Sequence, residues 1–184
     1  MEEACFIGNA QYMRTACPID SSAVLIATLG TEPQVVTAAL DLLTWQGENI
    51  SRVIVIHTLA PNTPIEDAIK TLQKAFSEME SGPILKLVLI RDEQGHPFQD
   101  VETPPAAQAA FRAIYNQVRL SKLDGACVHL SIAGGRKTMT IYGMLAAQLL
   151  FDDHDHLWHL YSGGEFLVSK RLHPQPGDQV HLIP

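Results

Sequence analysis

Short apolar runs alternate with longer segments of helical period from residue 23 onward. Residues 23–29 are a nearly continuous apolar run, the pattern of a parallel strand buried on both faces. The run stops at Gly30-Thr31-Glu32. Pro33 suits the first position of a helix whose inner face is Val35, Val36, Ala39, Leu40, Leu42 and Leu43. Residues 53–56 repeat the strand pattern. Over residues 63–79, Ile65, Ala68, Ile69, Leu72 and Phe76 recur at three- and four-residue spacings until Ser81-Gly82-Pro83 ends the helix. A third strand over 84–90, a polar loop over 91–105 and a helix over 106–120 follow. A strand over 126–132 then breaks at two glycines and opens into a helix close to Arg136. Further strands are expected over 157–160 and 166–172.

This alternation predicts an α/β, Rossmann-like fold: a mainly parallel sheet with helices on both faces, joined by right-handed crossovers, in a single domain over residues 23–184. Residues 1–22 show no sustained period and read as a leader or an added edge segment. In such sheets a ligand lies beyond the strand C-termini, at a topological switch point. The Gly30 turn and the Gly134 loop are both strand C-termini.

The second of these stretches, Ser131-Ile132-Ala133-Gly134-Gly135-Arg136-Lys137-Thr138, carries the clearest chemical signal. Gly134 and Gly135 remove side chains that would keep a ligand from the backbone, and amides at the helix start point outward with partial positive charge. Helices favour acidic residues in the first turn, so Arg136 and Lys137 are electrostatically misplaced there unless an anion is present. The spacing is neither a Walker A loop nor GxGxxG. From the residues alone two readings stay open: a phosphate site, or a tight strand-to-helix turn with two solvated cations.

Charge and cysteine content narrow the field. The net charge of −7 argues against wrapping long DNA or RNA, while a small anion in a local basic pocket is compatible with it. No segment approaches the roughly 18 apolar residues of a membrane span. Glu2 and Glu3, with no apolar core beside them, argue against a secretory signal. Cys5, Cys17 and Cys127 are odd in number and scattered, so neither a disulfide framework nor a paired metal site is expected, and a reducing cytoplasm fits. No cofactor is called for.

Four other constellations compete for a role. Arg91 and His96 have the R-x4-H spacing of HEPN ribonucleases, but Gly95 and Pro97 flank the histidine and break the helix that motif needs. Asp152, Asp153, His154, Asp155 and His156, with His159 beyond, offer metal-ligand atoms from one polar turn, and a solvated turn is the better account. Cys127 and His129 share a strand face, as a core cysteine beside a hydrogen-bonded histidine would. Glu93, Asp100 and Glu102 lie in the 91–105 loop, where a lid contact with ligand competes with simple solvation.

Two motifs carry a family resemblance: Leu25-Ile26-Ala27-Thr28-Leu29-Gly30-Thr31-Glu32-Pro33-Gln34-Val35-Val36-Thr37, and a hundred residues later Ser131 to Met139. Together they resemble the CRISPR-associated Rossmann fold (CARF) family of type III CRISPR systems. His57-Thr58 and Asp155-His156-Leu157-Trp158-His159 are weaker matches. The resemblance implies a homodimer that binds a cyclic oligoadenylate, cyclic tetra-adenylate or cyclic hexa-adenylate, across its two-fold axis. It implies Thr28, Gly30, Thr31, Gln34, Gly134, Gly135, Arg136, Lys137 and Thr138 as ligand-binding residues. With little chain left after Leu160, the standalone form resembles the ring nucleases, which cleave the messenger. For that chemistry Lys137 and Arg136 suit the phosphorane charge, and Thr28, Thr31 or Gln34 the ribose; no metal is obligatory and no obvious general base accompanies them. A sensor or sink without turnover, as a separate protein or as the sensor domain of a larger effector, is the alternative, and an unrelated nucleotide-binding Rossmann protein a third.

Overall fold

The computed structural model describes residue 17 and residues 22–184. Most of the leader expected over 1–22 lies outside the described residues. Six strands form one sheet in the order β3-β2-β1-β4-β5-β6. The strands are β1 (Ala23–Thr28), β2 (Ile50–His57), β3 (Ile84–Leu89), β4 (Cys127–Ser131), β5 (His156–Ser162) and β6 (Val180–Ile183). The first five run parallel, and β6 returns antiparallel along β5. Helices α1 (Gln34–Trp45), α2 (Pro64–Ser77), α3 (Pro104–Leu123), α4 (Lys137–Leu150) and α5 (Gly164–Ser169) make the connections. The Rossmann-like architecture expected from the alternation is met.

Strand alternation on β1 explains the three layers. Leu25 and Ala27 face one core with Val36, Leu40 and Leu43 of α1 and Leu72 and Phe76 of α2. Val24 and Ile26 face the other, with Ala110, Ile114 and Val118 of α3 and Met139 and Ala146 of α4. Every β1 residue is buried, hence the unbroken apolar run. Each buried Leu or Ile contributes about 1.5–3 kcal/mol, so the central strands anchor both layers.

Three details differ from the sequence reading. The strand expected over 166–172 is α5: Phe166 is buried while Leu167 and Val168 are 53 % and 81 % exposed, a helical rather than alternating burial. Lys170, in the left-handed conformation, ends the helix. Strand β6 was not expected, because its four residues follow a Pro- and Gly-containing stretch and offer too short a pattern. Finally, Cys17 and Cys127 form a disulfide. A separation of 110 residues hid the pair, which exists only because residue 17 lies against the start of β4.

Candidate anion-binding site

The switch point falls between β1 and β4: α1 carries the chain from β1 out to β2 on one side, whereas β4 pairs on the other. Their C-terminal loops therefore lie side by side. Thr28, the last residue of β1, is fully buried and donates from Oγ1 to the Gly134 carbonyl at 2.6 Å. A Cβ at Gly134 would sit 2.1 Å from the Thr28 oxygen, and one at Gly30 would sit 3.0 Å from the Gly135 nitrogen. The loops touch backbone to backbone, and only glycine permits the approach at 134. Gly135 adopts φ +81°, the left-handed region glycine tolerates.

A cleft of about 360 Å³ opens over this junction. Gly30, Thr31, Gly135 and Arg136 line it, joined by Thr58 and Thr63 from the loop after β2 and by Asp100 and Met139. The structure thus brings four of the residues expected at the site into one cleft. Thr28 and Gln34 stand behind it: Thr28 ties the loops together, and buried Gln34 donates from Nε2 to Glu32 at 2.6 Å. Glu32 is held below the ordinary glutamate range, chiefly by the hydrogen bond from Lys170. Lys137 and Thr138 begin α4 outside the cleft lining, and Lys137 is exposed with no ion pair among the described residues.

Two helices start at this edge without a side-chain cap and without an acid in the first turn, α1 and α4. Helix α2, by contrast, carries Glu66 and Asp67 there. The first turns of α1 and α4 thus bring no acid of their own to the positive ends of these helices.

Asp100 is what the sequence weighed only as one of three loop acids. Its carboxylate accepts a bidentate pair of hydrogen bonds from Arg136, the Nε one at 2.7 Å. Arg136 holds the Asp100 carboxyl below the ordinary aspartate range, and Asp100 raises Arg136 in turn. The Val101 amide also donates to Asp100, at 2.7 Å. Thr58, Thr63 and Met139 were legible only in part. The loop after β2 must border the cleft once β2 neighbours β1, but nothing in its residues announces that.

The competing constellations resolve structurally. Arg91 and His96 lie in a looped-back turn, with Arg91 donating to the Gly95 carbonyl at 2.6 Å. Asp152 and Asp155 both grip Lys122 Nζ, at 2.7 and 2.6 Å, so the acidic turn secures α3 to β5.

Comparison with known proteins bears on the family and the fold. Residues 32–183 match the family described as CRISPR-associated protein NE0113. Among solved structures, a type III CRISPR defence DNA nuclease activated by cyclic oligoadenylate superposes with TM-score 0.50 at 16 % identity, covering 82 % of this chain. The chain spans about a fifth of that nuclease's length, 20 %. A putative UDP-N-acetylglucosamine 2-epimerase from Listeria monocytogenes aligns with TM-score 0.44 at 14 % identity over 78 % of this chain and 32 % of its own. No curated protein matches the chain significantly.

Proposed function

Because the chain belongs to the CRISPR-associated NE0113 family, we propose that the cleft binds a cyclic oligoadenylate messenger and that the protein cleaves it without metal. One observation carries the reading. Uncapped α1 and α4 N-termini, glycine backbone and Arg136 meet at a single cleft, with Lys137 exposed next to Arg136 on the first turn of α4, a run of positive potential that a solvated turn does not need.

In this reading Gly30, Gly134 and Gly135 let phosphates approach main-chain amides. Thr31 orients a ribose, Arg136 and Lys137 hold phosphate, and Thr138 offers its hydroxyl and amide on the first turn of α4. Thr28 and Gln34 act by positioning the loops. A ribose 2′-oxygen attacks the adjacent phosphorus, the bond to the 5′-oxygen breaks, and the 2′ proton ends on that leaving oxygen. The products are a 2′,3′-cyclic phosphate and a 5′-hydroxyl. Alignment and charge stabilisation are the whole of the protein's contribution, with Lys137 assigned to the phosphorane charge.

The working unit is a cytoplasmic homodimer. Ile141, Met144, Leu145 and Leu149 form an exposed apolar stripe on α4, the helix that starts at the site, at 63, 51, 44 and 59 % exposure. A second copy seated there would cover it and bring two cation pairs together. Light scattering at micromolar concentration should report a dimer. A monomer with and without ligand would remove this part of the reading.

Single-turnover assays with excess protein and EDTA test the chemistry on cyclic tetra-adenylate and cyclic hexa-adenylate. Wild type should cleave one ring. Lys137→Ala should lower the saturated rate about a hundredfold, roughly 2.7 kcal/mol, with a smaller loss of binding. A sensor or sink without turnover is the second reading, favoured by one feature: Asp100, the carboxylate in the cleft, is held on Arg136 and is a poor base. Tight binding with no detectable cleavage of either ring would establish that reading instead.

A further inference from the structure

Strand β4 reaches the cleft with its C-terminal end; at its other end lies a cluster that the messenger chemistry does not use. Cys127, 3 % exposed, is bridged to the partly exposed Cys17. His129, two residues along and fully buried, has Nε2 at 3.6 Å from Cys17 Sγ and 3.6 Å from Glu48 Oε2. The Trp158 indole sits beside the same ring, with Nε1 at 3.1 Å from Nδ1.

Two cysteines and a histidine with their ligand atoms so close together have the composition of a zinc site. The proton inventory points elsewhere. An indole nitrogen can only donate, so Nδ1 of His129 supplies the lone pair and the neutral ring carries its proton on Nε2. A metal would need the lone pair at Nε2, and metal-bound histidines donate from the other nitrogen rather than accept there. The contact with Trp158 thus turns an N–H, not a ligand atom, toward Cys17.

We propose that Cys17 and Cys127 are a redox-active pair that exchanges with dithiols, with His129 as the hydrogen-bond donor to the Cys17 thiolate. Exposure sets the order of events. A dithiol's thiolate attacks the accessible Cys17 sulfur, the disulfide bond breaks, and Cys127 leaves and takes up a proton. A disulfide sulfur has no hydrogen to donate, but the reduced Cys127 S–H has an acceptor waiting, the His154 carbonyl at 2.8 Å from Sγ. The reductant's second thiol then attacks its own sulfur in the mixed disulfide, releasing Cys17 as a thiolate beside the Nε2–H. Two electrons pass to the pair, and the reductant departs as a disulfide. Both sulfurs therefore have partners in the reduced state, and reduction removes the covalent tie between residue 17 and β4. In a reducing compartment the tie opens.

The test needs no messenger and stands apart from the proposed function. Full-length protein is equilibrated in graded ratios of reduced to oxidised dithiothreitol, quenched by alkylation and read by peptide mass spectrometry. A Cys17–Cys127 linked peptide should disappear in one reversible two-electron transition, with Cys17 alkylated before Cys127. Glu48→Gln removes a neighbouring negative charge and leaves only a weaker, neutral acceptor, so its midpoint should move about threefold or more toward the reduced form. His129→Ala should move it the other way, and because that buried position risks the fold, the Glu48 variant decides. Absence of the linked peptide, or an unmoved midpoint in Glu48→Gln, overturns the proposal. So does one zinc ion per chain that shields both cysteines of the reduced protein from alkylation, which would make the cluster a metal centre.

Discussion

Two loops face each other across the cleft, and they are built on opposite principles. The Gly134–Gly135 loop is held by main chain: a carbonyl of β1 fills the space a side chain would occupy, and a buried threonine ties the two together. The Arg91–Thr103 loop reaches the site through a side chain, Asp100 on Arg136, in a pair whose partners are 25 % and 64 % exposed. Exposed ion pairs are worth about 0–1 kcal/mol. One side of the cleft is thus a fixed receptor, and the other is attached by a contact that a competing anion can exchange. The Asp100 carboxylate holds Arg136 in a bidentate geometry that a phosphate can also adopt.

The sharpest break in this contrast is Gly134→Ala. With 2.1 Å to the Thr28 oxygen the added methyl cannot be accommodated by a side-chain shift, and the two loops must separate. The expected cost is about 3 kcal/mol or more, a melting temperature lower by roughly 6–12 °C, with messenger binding lost. Calorimetry and a binding titration check it; a variant of wild-type stability would mean the receptor side is not fixed. Asp100→Asn probes the other side with a smaller effect. If carboxylate and phosphate compete for Arg136, messenger affinity should rise about tenfold, equivalent to 1.4 kcal/mol. A fall in affinity would show that Asp100 positions Arg136 for the ligand.

The smallest effect concerns the hinge between the two regions. His57 closes β2 beneath the Arg91–Thr103 loop, its carbonyl accepting from Ile90 at 2.9 Å. Burial holds it below the ordinary histidine range, with Arg91 adding to the shift. A depressed folded value means the unfolded chain binds the extra proton first. Stability should be complete above about pH 6.5 and decline as pH falls through the lower folded value. Melting curves from pH 7.5 to 5 should show a drop of a few degrees that His57→Gln reduces.

What the sequence disclosed follows the same division. Features carried by the backbone were legible, because a strand ending in two glycines before an uncapped helix leaves a mark in the residues themselves. The five parallel strands and the pairing of the Gly30 and Gly134 loops belong to this class. Contacts made by side chains across long separations were not. Asp100 was one acid among three in a polar loop until the fold placed it on Arg136, and Cys17 was one of three scattered cysteines. Phe166-Leu167-Val168 shows a local ambiguity: a short apolar run has no period of its own, and only burial of Phe166 alone distinguishes helix from strand.

The arrangement of strands also decides how the molecule can grow. An open sheet ends in two rows of unpaired peptide groups, each a template for another chain. Here β6 turns back and covers one rim of the parallel set with four residues. The other rim is β3, a six-residue strand with Lys86 at its centre, whose ammonium donates to Gln117 of α3 at 3.0 Å. A short strand with a charge in its middle is a poor seed for polymerisation. Both rims of the sheet thus disfavour growth by strand addition, so any association between copies is left to side-chain packing.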